Sequence, residues 1–106
     1  MSDWSPYQLG KTLGTCGLEG DLILKDEEHP NGARITMKRG KNYLSITCNL
    51  YQWIHHSRLF ISQREAEREY EEMKPAIAEV VSLLAAGDKS DVKAWEVVSD
   101  FVSRFP

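Results

Sequence analysis

The sequence predicts an α+β domain: a four-stranded antiparallel meander, then a kinked long helix and a C-terminal helix packed on one face of the sheet. Three observations carry this. Residues 33–51 alternate apolar and polar side chains with a period of two, interrupted by Gly40-Lys41-Asn42, the pattern of half-buried strands. Ser62-Gln63-Arg64-Glu65 forms a capping box that opens a run with apolar residues three and four apart. A chain of 106 residues that is 42% hydrophobic fits one domain, residues 1–106, around one core.

In chain order, Ser5-Pro6 has the form of a helix cap and the first helical residue. Gly10, Gly14, Gly17 and Gly20 then punctuate the chain as far as Asp21. A short helical turn and a loop are therefore expected over residues 1–20. Leu22-Ile23-Leu24, within Asp21–Lys25, reads as a first strand. Asp26-Glu27-Glu28-His29-Pro30-Asn31-Gly32 reads as a turn, because Asn-Gly accommodates positive φ. From Ala33 the second strand turns Ala33, Ile35 and Met37 one way and Arg34, Thr36 and Lys38 the other. The third strand, Tyr43–Tyr51, places Leu44, Ile46, Cys48 and Leu50 on one face and Tyr43, Ser45, Thr47, Asn49 and Tyr51 on the opposite one. Trp53–Ile61 is the fourth; directing Ile54 and Phe60 inward leaves Trp53 and His55 on the outer face.

Ala66, Tyr70, Met73, Ile77, Val80, Val81 and Leu84 form the buried stripe of the long helix. Pro75 removes a backbone donor and crowds the preceding turn. The stripe keeps its phase across it, so one kinked helix is expected, with Gly87 at its end. A last helix, Asp91 to Arg104, capped by Ser90, buries Val92, Trp95, Val98, Val102 and Phe105.

Charge is distributed unevenly. Residues 33–58 contain Arg34, Lys38, Arg39, Lys41 and Arg58 and no acid, between acidic blocks at Glu19–Glu28 and Glu65–Glu79. The net charge of -3 gives no support to general nucleic-acid binding. No apolar run approaches the roughly 20 residues needed to span a bilayer. The start of the chain lacks a secretory pattern, so a cytoplasmic location with Cys16 and Cys48 reduced is expected.

Several constellations invite chemistry and lose it on closer reading. His55 and His56 are adjacent, but neighbours on a strand face opposite ways, and no metal-ligand spacing accompanies them. Cys48 could meet either histidine as a thiol–imidazole dyad, yet its phase with Leu44, Ile46 and Leu50 makes it a core residue. Gly10-Lys11-Thr12 lacks the first glycine and the strand of a phosphate-binding loop. Asp26, Glu27 and Glu28 do not match a calcium loop and read as a solvated turn. No metal, cofactor or enzymatic activity is expected. Lys38, Arg39 and Lys41 beside Tyr43, Tyr51 and Trp53, with His55, remain as a basic, aromatic sheet face suited to anchoring a partner. The glycine- and aromatic-rich strand of a sheet-based RNA reader is missing.

The run from Asp26 to Lys74 resembles a class of small bacterial proteins, some of them suspected to be immunity proteins that bind and neutralise a secreted toxin domain. The resemblance lies in the acidic run, the Asn31-Gly32 hairpin, and the tyrosine–tryptophan strand pair before a capped helix. It implies a bacterial cytoplasmic binder without catalysis. The expected function is thus a small protein-binding domain that takes a toxin, or a second copy of itself, on the sheet face. A small enzyme or metal protein centred on His55 or His56, and a purely structural homodimer, are the alternatives.

Overall fold

The hairpin around Pro30-Asn31-Gly32 sets the register of the sheet. In the computed structural model, which describes residues 3–16, 20–51, 53–86 and 91–106, this loop has three residues. Gly32, at φ 107°, supplies the left-handed position such loops require; its N–H donates to the His29 carbonyl. The strands on either side, β2 (Leu22–His29) and β3 (Ala33–Arg39), pair antiparallel from His29–Ala33 outward. β4 (Leu44–Leu50) and β5 (Ile54–Phe60) extend the meander. A two-residue strand, β1 (Ser5–Pro6), pairs with Glu27 and Glu28 on the far side of β2. The sheet therefore has five strands in the order β1-β2-β3-β4-β5, one more than the sequence predicts.

Two corrections arise at β1 and β2. Ser5-Pro6 begins no helix; it is edge strand, where proline's missing N–H is tolerated. It leads into a single turn over Tyr7–Gly10 in which Gln8 and Leu9 have φ of 48° and 60°. The acidic run Asp26-Glu27-Glu28 is not a turn but the second half of β2. A bulge between Ile23 and Lys25 shifts the register by one residue, so Ile23 shares a face with Lys38 while Lys25 shares one with Met37.

Both helices lie on one side of the sheet. Helix α1 (Gln63–Ala85) is continuous through Pro75, and the Ser62 hydroxyl caps it by accepting from the Glu65 N–H. Ala66, Tyr70, Met73, Ile77, Val80 and Val81 are buried as predicted, against Ala33, Ile35, Met37, Leu44, Ile46, Cys48 and Leu50. In helix α2 (Asp91–Arg104) Val98, and Phe105 just beyond its end, are buried as predicted, but Phe101 joins them in the core while Val92 and Trp95 are 70% and 49% exposed, so the buried stripe is turned away from the helix start the sequence predicts. The predicted end and cap residues Gly87 and Ser90 lie outside the described residues. Among the described residues, no helix is long and apolar enough to cross a membrane.

The β3–β4 turn depends on a close approach. A Cβ at Gly40 would lie 2.6 Å from Cε1 of the Tyr43 ring, and the Gly40 N–H donates to the Tyr43 carbonyl across the same turn. Gly40→Ala is expected to cost about 1–3 kcal/mol, because the ring or the turn must shift. Urea denaturation at constant m-value measures it.

Candidate functional site

The face of the sheet away from the helices is built in three rows by the register. The first row is Ile23, Lys38, Ser45 and Leu59; the second is Asp26, Thr36, Thr47 and Ser57; the third is Glu28, Arg34, Asn49 and His55. The middle row is short at Thr36, Thr47 and Ser57, and both flanking rows carry long side chains. The result is a hollow of about 130 Å³ lined by Ile23, Arg34, Thr36, Lys38, Thr47, Asn49 and His55.

One wall of the hollow is fixed from beneath. Asp26 is 2% exposed. It accepts from Arg34 Nε at 2.8 Å and Arg34 Nη2 at 2.6 Å, from the Thr36 hydroxyl at 2.9 Å and from the Thr12 hydroxyl at 2.7 Å. Burial pushes the Asp26 carboxyl up, but these bonds and the Arg34 charge outweigh it and hold the carboxyl below its ordinary range. Arg34 is raised in turn, chiefly by its bonds to Asp26. The Arg34 guanidinium also lies 3.7 Å from the centroid of the Tyr7 ring. The N-terminal segment is thus a strap around the β2 edge. Trp4 packs on the helix side, its indole N–H donating to the Lys74 carbonyl, while Tyr7 and Thr12 hold Asp26 and Arg34 on the open side. The sequence offers little warning of this role for Asp26, which is one acid of three in a row and stands diagonally across the hairpin from Arg34.

The remaining acids of the run are also engaged. Glu27 accepts from the Tyr70 hydroxyl at 2.9 Å and pairs with Lys74 at 3.0 Å on the helix side. Glu28 accepts from the Tyr51 hydroxyl at 2.8 Å. Burial and this bond push the Tyr51 phenol up to about 12.

The predicted binding residues do not form one patch. Lys38 and His55 line the hollow. Arg39 is exposed at the end of β3, and Lys41 is exposed in the turn after it. Tyr43 is half-buried beneath Gly40, and Tyr51 stands at the opposite end of β4. Trp53 is not on the open face. It packs against the core and meets Trp95 edge to face, with ring centroids 5.0 Å apart. Arg34, Thr36, Thr47 and Asn49 complete the hollow, although none stands among the candidates the sequence offers.

The two histidines part as strand alternation requires. His55 faces the hollow, while His56 faces the helices, its Nε2 bonded to the Phe105 carbonyl. Cys48 lies directly opposite His56 in the ladder, on the core face, while the His56 Nε2 is committed to the Phe105 carbonyl. Burial pushes the Cys48 thiol up to about 12, which keeps it protonated at neutral pH and a poor nucleophile. Arg58, also on the helix side, pairs with Glu69 at 2.9 Å and donates to the Pro106 carbonyl. Among the described residues, no group of three or more His, Cys, Asp and Glu is placed to hold a metal ion.

Compared with protein families, with curated proteins and with solved structures, the chain has no significant match.

Proposed function

We propose that this chain is a small non-enzymatic binding domain that engages another protein through its open sheet face, in the manner of an immunity protein bound to a toxin domain. The observation that carries the reading is the contrast between the two faces. Helices α1 and α2 cover one face, and the other presents a shaped hollow whose wall is braced by the ion pair of buried Asp26 with half-buried Arg34. A preformed, rigid surface of this kind binds with little ordering cost. Leu59 and Ile61, 72% and 90% exposed, add apolar contact area beside it.

The reading is tested by immobilising the chain and comparing captured proteins between surface variants by mass spectrometry. Ser57→Arg is expected to abolish capture of the specific partner, because it places a long charged side chain at the exposed end of the middle row without touching the core. Glu72→Arg, on the exposed side of α1, is expected to leave capture unchanged. The opposite pattern would move the interface to the helices.

A further inference from the structure

The hollow on the open sheet face has a chemistry more specific than protein contact in general. Lys38, Asn49 and His55 converge on it. The described residues offer none of the three side chains a hydrogen bond or ion pair. This sets them apart from Lys25, Arg34, Arg58 and Lys74, each of which is paired with a carboxylate. Lys38 and Asn49 are half-buried and His55 is exposed at the rim; polar groups held over a concavity without partners among the described residues are groups to which a ligand or water bonds.

The sign of that ligand is set by the lining. Among the described residues two carboxylates stand on this face outside the lining: Asp26, beneath Arg34 and Thr36 with its charge neutralised by the Arg34 pair, and Glu28, at the end of the third row, where it accepts from the Tyr51 hydroxyl. Among the described residues, Lys38 therefore contributes a full charge to the lining that no ion pair offsets, whereas Arg34 is paired with Asp26. The Asn49 amide adds neutral donors, and His55 adds a ring nitrogen. The guanidinium edge that commonly forks a phosphate, Nε and Nη2 of Arg34, is already spent on Asp26. One ammonium with neutral donors matches a monoanion better than a phosphate dianion.

Resting on the proposed protein-binding role, we infer that the hollow is a subsite for a single carboxylate, the side chain of an aspartate or glutamate on the protein partner. Lys38 supplies the charge, Asn49 and His55 fix the orientation of the two oxygens, and Thr36 and Thr47 form the floor. Arg34, locked by Asp26 and Tyr7, keeps the wall in place whether or not the carboxylate is present.

The test is an NMR titration of the full chain at constant pH and ionic strength with sodium acetate, and separately with sodium phosphate and sodium chloride. Acetate is expected to shift the Asn49 side-chain amide and the backbone amides of Lys38 and His55 saturably. Chloride should leave them in place. Lys38→Met and Asn49→Leu should each weaken acetate binding about tenfold, roughly 1.4 kcal/mol, while the rest of the spectrum shows the fold retained. Equal shifts with chloride, an unchanged acetate affinity in Lys38→Met, or phosphate binding more tightly than acetate would each overturn the subsite. The partner itself separates this failure from failure of the broader reading. If Ser57→Arg abolishes capture but Lys38→Met changes neither capture nor acetate binding, only the subsite falls. If acetate binds as expected but Ser57→Arg leaves capture intact, the assignment of that carboxylate to a protein partner falls.

Discussion

Asp26→Ala is expected to lower the free energy of unfolding by about 2–4 kcal/mol, somewhat less than removing one partner of a fully buried ion pair, because the Arg34 side chain left behind is 30% exposed. Asp26 accepts from four donor atoms on three residues: Thr12 in the strap, and Arg34 and Thr36 on β3. Removing it leaves the Arg34 guanidinium half-buried with no counter-charge and two hydroxyls without their acceptor. Asp26→Asn keeps the shape and some of the acceptor capacity, so it should cost less than Asp26→Ala but leave the charge of Arg34 uncompensated. Denaturation in urea, with the two variants compared at neutral pH, measures both.

The same carboxylate makes a distinct pH prediction. Its folded-state value lies below its ordinary one, so the folded chain binds that proton less readily than the unfolded chain. The stabilisation is fully present above the unfolded value, roughly 3.9, and is lost as the pH falls through the folded value. The stability gap between the natural chain and Asp26→Asn should therefore be constant near neutrality and close progressively below about pH 4. A gap that persists undiminished in strong acid would mean that packing, not charge, is what Asp26 supplies.

Much of the architecture is legible in the sequence because periodicity reports burial directly. Ala33, Ile35 and Met37, and Leu44, Ile46, Cys48 and Leu50, are buried on the face their alternation predicts. Ser62 caps the helix that its capping box announces. The acidic run misleads because three consecutive charges look like a solvated turn when their partners are distant in sequence. Glu27 finds Tyr70 and Lys74 on α1, 43 or more positions away, and Asp26 finds Thr12 in a segment with no periodic signal. The short β1 strand is invisible for a related reason: two residues carry no period, and their pairing depends on β2 being already in place. Lys38 and His55 are legible as open-face residues from charge and alternation. Thr36, Thr47 and Asn49 matter because they are short or uncommitted, a property that only the three-row register reveals.

Trp53→Ala and Tyr51→Ala, two residues apart in sequence, are expected to behave differently although the sequence groups them on one binding face. Trp53 packs against the core beneath α2 and meets Trp95 edge to face at 5.0 Å. Truncating a fully buried tryptophan costs about 3–5 kcal/mol, and this one is half-buried, so roughly 2–3 kcal/mol is expected. The aromatic pair accounts for about 0.5–1.5 kcal/mol of that. A double-mutant cycle with Trp95→Ala should recover a coupling of that size, since each ring loses the same contact. Tyr51 is exposed and anchored through its hydroxyl to Glu28, so Tyr51→Ala should cost about 1 kcal/mol or less. The consequence for binding comes from placement: a partner on the open face can lose contact with Tyr51 directly, but with Trp53 only through loss of the folded population. Capture assays run well below the unfolding midpoint of each variant should then show Trp53→Ala binding normally. If Trp53→Ala is as stable as the natural chain and yet loses its partner, the tryptophan belongs to the interface, which must then extend around the β5 edge toward α2.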